Sequence, residues 1–223
     1  MRFSRLGVVF GILLAPCVLS AQEKNPFTDS WFWGAKGGWT VFHTSVARTS
    51  APVIGADWLI TRSWYGLSVG LDQAYFNAVS TVDDAPTRGI SRRVDIRDMR
   101  RATVGMTLFP HIVSEPMRET LRPYVGFGYS FNFVVRAASE GDQYASPAAR
   151  DTVLSRINNA KSRNSMTGTI GLQYHYQRYA PFIQATVMPT QGSGKFFLNG
   201  TGFTYYIEGG LRYNFGTSID KTM

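Results

Sequence analysis

Phe203-Thr204-Tyr205-Tyr206-Ile207-Glu208-Gly209-Gly210-Leu211-Arg212-Tyr213-Asn214-Phe215 is the stretch that decides the fold. Phe203, Tyr205, Ile207, Leu211, Tyr213 and Phe215 share one face, interrupted only by Gly209. Thr204, Glu208, Gly210, Arg212 and Asn214 share the other, with Tyr206 its sole large ring. A period of two scatters around the 3.6-residue turn of a helix but lines one side of a pleated strand. The segment is therefore a β-strand with one apolar face and one small or polar face.

The same alternation extends toward the N-terminus. Val125, Phe127, Tyr129, Phe131, Phe133 and Val135 oppose Gly126, Gly128, Ser130, Asn132 and Arg136. Applied along the chain, the test predicts eight strands, at 30–43, 52–62, 64–79, 92–109, 122–138, 165–177, 179–189 and 201–216. Tight returns fall around Arg62-Ser63 and Arg178, whereas 44–51, 80–91, 139–164 and 190–200 are longer and more polar. The connection 110–121, with Pro110 and Pro116, is the long exception on the short side. In the longest connection Ser146-Pro147 reads as an N-cap followed by proline at the first helical position. Val153, Leu154, Ile157 and Ala160 share one face of the helix expected over 147–160.

The chain has 223 residues, 44% hydrophobic and 17% charged, which excludes a disordered protein. Its longest apolar run, Leu6 to Ala21, is shorter than the ~18 residues of a membrane-spanning helix. That run follows Arg2 and Arg5, is ended by Pro16, and offers small residues for cleavage after Ser20 or Ala21. Residues 1–21 thus read as a signal peptide and 22–223 as one exported domain. An anchor at Cys17 is the alternative, although Pro16 precedes it where lipoproteins carry a small residue. Cys17 is the only cysteine, so the mature domain has no disulfide, thiol nucleophile or cysteine metal site. Removing Arg2 and Arg5 leaves 21 basic against 15 acidic residues, a net +6.

Alternation alone does not say whether the apolar face points into a core or out into lipid. The opposite face carries small residues at strand centres: Gly34, Gly38, Gly66, Gly70, Gly126, Gly128 and Gly171. It also carries isolated charges of both signs, Lys36, Asp57, Asp72, Arg136, Glu208 and Arg212. Small residues fit the inside of a narrow barrel, and such charges survive in a lumen by pairing. Trp31, Trp33, Trp64, Tyr65, Tyr174 and Tyr176 cluster near strand ends, where interfacial aromatic girdles lie. The reading is an all-β, eight-stranded antiparallel transmembrane barrel with a short helix in its longest external loop. The six charges form its lumen network, with Lys36 and Glu208 brought together when strands one and eight close the ring.

On these residues the chain resembles the small outer-membrane β-barrels of Gram-negative-type bacteria, the OmpA transmembrane-domain and OmpX/OmpW-like group. Its last strand looks like that group's C-terminal assembly signal, carried here by Glu208, Gly210, Tyr213 and Phe215, with eight residues following. The resemblance implies an outer-membrane location and recognition by the barrel-assembly machinery. It also implies a structural or surface-interaction role for a monomer with a polar, largely occluded lumen. An OmpW-like passage for small solutes is the first alternative, and an outer-membrane lipid-modifying enzyme the second.

Enzymatic signatures are weak. Gly66-Leu67-Ser68-Val69-Gly70 matches the nucleophile-elbow pattern, but the elbow needs a sharp turn and alternation runs straight through Ser68. His43 and Ser45 sit near an outer strand end, where some lipid A-deacylating barrels place a His and Ser, yet those use a late strand. No orienting carboxylate is evident nearby. His111 falls in a turn and His175 beside Gln173, so the three histidines make no metal cluster. No catalytic residue, cofactor or metal is assigned. Arg88, Arg92, Arg93, Arg97, Arg100 and Arg101 form a basic run. In an exported barrel it suits lipopolysaccharide phosphates better than nucleic acid, or is simply a solvated ribbon. Asn199-Gly200-Thr201 fits a glycosylation sequon and equally a turn.

Overall fold

A computed structural model describes residues 27–84, 91–112, 114, 117, 120–141, 143–190, 196–198 and 202–217. The signal-peptide segment, Arg88 and the sequon lie outside these residues. The strands are β1 (Ser30–His43), β2 (Arg48–Thr61), β3 (Tyr65–Asp83), β4 (Ser91–Leu108), β5 (Leu121–Ser139), β6 (Ser162–Tyr174), β7 (Tyr179–Pro189) and β8 (Phe203–Thr217). Each pairs antiparallel with its sequence neighbour, and β8 returns to β1, closing the barrel.

The register fixes its shape. From Ser162 on β6 the partners run through Phe133, Arg100, Gln73, Ile54, Gly37, Gly209 and Ile183 back to β6 at Leu172. The ring therefore closes with a stagger of ten residues, a climb of about 33 Å around a girth of about 38 Å, which tilts the strands by about 40°. This is a narrow, steeply wound barrel.

The apolar alternation faces outward. Leu67, Leu71, Val104, Met106, Phe127, Tyr129 and Phe131 are exposed, while Gly66, Asp72, Thr107, Ser130 and Asn132 are buried. On β3–β5 the outward rows stay apolar from Tyr65, Leu108 and Val125 up to Leu71, Ala102 and Phe131. The change comes at Gln73–Arg100–Phe133, and the next outward row is Asn77–Arg97–Arg136. At this tilt the apolar band is about 20 Å tall, close to the ~25 Å of transmembrane barrels.

Above the band the rule inverts. Asp98 adopts a left-handed conformation (φ 56°) at a bulge where Ala74 pairs with Met99 but Asn77 with Arg97. The Asp98 carboxylate accepts the Phe76 backbone N–H (3.2 Å). A bulge of one residue changes which side chains face in. Beyond it Val94 and Ile96 turn inward, joining Phe42, Val53, Val134, Phe196, Phe197 and Leu198 in an apolar core.

The helix, α1 (Pro147–Ala160), matches the expected span. The Ser146 hydroxyl accepts the Ala149 N–H (3.1 Å), and Pro147 costs nothing where a helix leaves its N–H groups unpaired. Val153, Ile157 and Ala160 enter the core, so α1 is the lid of the outer end. Boundaries differ from the alternation reading in three strands. The 44–51 connection shrinks to 44–47, because the Thr44 hydroxyl accepts the N–H groups of Val46 (3.2 Å) and Ala47 (3.1 Å) and folds a tight turn. β3 runs four residues past its expected end, to Asp83 through the polar ribbon above the band, and β6 lies three residues earlier than expected, at Ser162–Tyr174.

Candidate functional site

Among the described residues, charges gather in the polar interior, at the protected centre of the fold. Lys36 Nζ on β1 lies 2.7 Å from Asp72 on β3 and 3.2 Å from Glu208 on β8. Arg101 on β4 meets the same two carboxylates, at 2.7 and 3.2 Å. Closer to the end that carries the Arg178 turn, Arg212 on β8 grips Asp57 on β2 at 2.6 Å and donates to the Gln173 side-chain carbonyl oxygen. Gln184 donates to Glu208 (3.0 Å) and accepts from the Tyr124 hydroxyl (2.9 Å). Aromatic faces complete the shell: Arg101 lies 3.6 Å from the Tyr206 ring centroid and Arg212 3.9 Å from that of Phe182.

Three buried cations thus face three buried anions. The glycines explain how they fit. A Cβ on Gly34 would run into the Asp57 carboxylate and the Arg212 stem, and one on Gly55 into Asp72. Beside the network remains a cavity of about 60 Å³, reached by Lys36, Arg101, Thr103, Tyr124, Gln184 and Arg212. That is room for a few waters and no more.

Both ends are stoppered. The outer one is the apolar core under α1. At the inner one Phe27 packs edge-on against Phe109 (4.7 Å) and His175 (5.0 Å), with Arg122 stacked on its ring at 3.8 Å. Its carbonyl accepts the Thr61 hydroxyl, and Asp29 pairs with Arg62 at 2.7 Å. His175 shares a 2.8 Å hydrogen bond with Gln173. Burial first, then the nearby Arg122 and Arg212, push its pKa down from 6.5 to about 3.

The structure brings Lys36, Asp57, Asp72, Glu208 and Arg212 together and corrects two assignments. Arg136 is exposed rather than luminal, because the break in alternation at Asp98 carries over to β5, where Arg136 stands opposite Arg97. Arg101 is not an exterior lipopolysaccharide contact but the centre of the network. Its alternation with Ala102, Val104 and Met106 already assigned it inward, and the charge run hid that signal. Gln173, Gln184 and Tyr124 were missed as network members.

The other arginines divide. Arg92 is occupied within the chain: it pairs with Asp84 (3.1 Å), donates to the Gly141 and Gln143 carbonyls and stacks on Tyr144. Arg93 pairs with Glu140 (3.2 Å) and Arg100 donates to Gln73 (3.0 Å). Arg97 and Arg136 are exposed directly across from each other, and like charges in that position repel. Ser68 donates to the Gly105 carbonyl (3.2 Å), and the Ser45 hydroxyl meets those of Thr81 (2.8 Å) and Ser80 (3.2 Å). Among the described residues these partners include neither a base nor a carboxylate. In β8, Glu208 faces inward, Tyr213 is half-buried and Phe215 is exposed. Gly210 lets the Phe182 ring approach, since a Cβ there would stand 2.8 Å from it. Exposed His111 lies in the β4–β5 connection.

No family model matches the chain, and no curated protein shows significant sequence similarity to it. Solved structures do match. Neisserial surface protein A superposes with a TM-score of 0.54 at 10% identity, over 83% of this chain and 97% of that one. Ail, the attachment invasion locus protein of Yersinia pestis, solved with the heparin analogue sucrose octasulfate, superposes more loosely. Its TM-score is 0.43 at 11% identity, over 84% of this chain and all of that one. The first match shows the fold: a closed, eight-stranded antiparallel barrel.

Proposed function

We propose that this chain is a monomeric integral outer-membrane protein, exported by residues 1–21 and inserted through residues 22–223. Its barrel is a rigid, occluded mount for the surface built by α1 and the outer loops. It acts through contacts made at that surface and at the lipid boundary, not by conducting solutes and not by catalysis. The observation that carries this reading is the filled lumen: a charge-balanced network across the middle, an apolar core above it, and Phe27 with His175 below.

The apolar band supports the membrane setting, since such a belt is costly in water and suited to lipid. Lipopolysaccharide is the expected lipid partner, and Arg97, Arg100 and Arg136 stand just above the band, where lipid phosphates lie. Guanidinium groups match phosphate geometry. During biogenesis Glu208, Gly210, Tyr213 and Phe215 serve as the strand read by the barrel-assembly machinery.

Two measurements test the proposal. The protein should fractionate with the outer membrane and migrate anomalously on gels until boiled; recovery in the soluble periplasm would overturn the membrane reading. Reconstituted into liposomes, the wild type should pass no small solutes, whereas Phe27→Ala, which opens the inner mouth, should raise leakage only slightly because the ion network still blocks the centre. Free solute flux through the wild type would favour the narrow-channel alternative. Altered lipid A that reverts on His43→Ala or Ser45→Ala would favour the enzyme.

A further inference from the structure

The outer wall carries a groove of about 530 Å³ running across the strands, with Gly168 and Ala185 on its lining, Tyr205 and Ile207 beside them, Phe127 at one end and Arg48 at the other. We infer that this groove seats one acyl chain of a phosphate-bearing lipid of the outer leaflet, whose phosphate Arg48 holds. The inference rests on the membrane reading given above.

Register supplies the first argument. Ser50, Val41, Tyr205, Val187, Gly168 and Phe127 form one continuous row of partners from β2 through β1, β8, β7 and β6 to β5. Five strand spacings of about 4.8 Å make this row about 24 Å long. Because the barrel closes with a stagger of ten residues, the row also descends by about 16 Å from β2 to β5. The groove therefore starts at the outer rim and sinks into the apolar band, the course of a lipid chain below its headgroup.

Charge supplies the second. Arg48 is exposed at the upper end and makes no ion pair among the described residues. Along the strands it rises to the level of Arg97 on β4 and Arg136 on β5, within about 3 Å. An arginine stem lies readily along apolar surface while its head stays at the polar boundary. An anionic group above an acyl chain satisfies both ends of the groove at once.

Gly168 supplies the third. A Cβ there would meet only the Val187 side chain, at 3.5 Å, an ordinary contact. Neither close backbone approach nor a left-handed turn demands glycine at this position, unlike Gly34 and Gly55. What its smallness does provide is depth in the wall.

The test uses the folded protein in detergent, with retained lipid counted by native mass spectrometry. Phosphatidic acid is compared with the diacylglycerol of the same chains, which lacks the phosphate. Wild type should retain one phosphatidic acid about fivefold more readily than diacylglycerol. Arg48→Gln should erase that preference, and Gly168→Leu should reduce retention of both lipids. Ala185→Leu repeats the filling test should Gly168→Leu fold poorly, with heat-modifiable migration reporting the fold of each variant. A large excess of inorganic phosphate should displace nothing; displacement would assign Arg48 to a free anion and overturn the seat. Unchanged retention in a folded groove-filling variant would overturn it too, as would a surviving preference in Arg48→Gln. Failure of the wild type to insert into vesicles would strike the membrane reading, whereas insertion without lipid retention would strike this inference alone.

Discussion

Removing Glu208 and Lys36 separately and together measures whether the lumen network acts as a unit. Glu208 is 1% exposed, 3.2 Å from Lys36 Nζ and within hydrogen-bond reach of Arg101 and Gln184. Glu208→Ala leaves Lys36 and Arg101 sharing Asp72 alone, a buried excess of one positive charge. Lys36→Ala leaves Asp72 and Glu208 sharing Arg101, an excess of one negative charge. Breaking a buried pair from one side costs about 3–5 kcal/mol, and the lower figure applies here because the adjacent cavity admits water. The double variant keeps Asp72 with Arg101 and Asp57 with Arg212, so its interior is neutral again. It should therefore lose about 2 kcal/mol less than the sum of the singles, within the range for residues of one network. Urea unfolding of the protein in lipid vesicles, followed by tryptophan emission and by heat-modifiable migration, gives the three stabilities. Additive losses would show that the two side chains do not meet, and with them the pairing of β1 and β8 would fall.

Three further outcomes are expected. Phe215→Ala should lower the amount reaching the outer membrane and increase periplasmic degradation, with Tyr213→Ala acting in the same direction; normal levels of both on fractionation would remove the assembly-signal reading. Trypsin added to intact cells should cut first at Arg150 on the exposed side of α1, and Val153→Asp, which unseats the helix from its core, should speed the cut; cleavage only after lysis would invert the topology. His175, held neutral with a pKa near 3, binds its proton more readily in the unfolded chain, whose pKa is 6.5. Stability is thus full above pH 6.5 and should fall as pH drops toward 3, by at most about 1.4 kcal/mol per pH unit. His175→Gln should flatten that part of a pH–stability curve.

The wall of the barrel was legible in the sequence because lipid imposes one rule on every strand: apolar outward, small or polar inward. That rule located all eight strands, the Lys36–Glu208 pairing and the five luminal charges that meet. It failed where lipid stops. Val94 and Ile96 share the even numbering of Ala102, Val104 and Met106 and look like the same face. The single left-handed residue at Asp98 turns them to the opposite side, and no periodicity announces it. The Arg136 error has the same origin. Arg101, by contrast, could have been read inward from its neighbours. Phe27 carried no signal, since it lies ahead of β1 and its place depends on rings from several strands.

The reversal at Asp98 divides the molecule into two modules obeying opposite solvent rules. The wall satisfies its apolar residues with lipid, and the outer cap satisfies its own by folding around them as a water-soluble domain does. The cap's helix and the 196–198 segment hold to one another through that private core rather than through the membrane. Its outward face can therefore be redrawn, by exchanging residues of α1 that point away from Val153 and Ile157, without revising a single lipid-facing position. The barrel beneath is in this sense a socket: its construction is indifferent to the surface it carries, and new recognition can be grafted onto it while the same wall is kept.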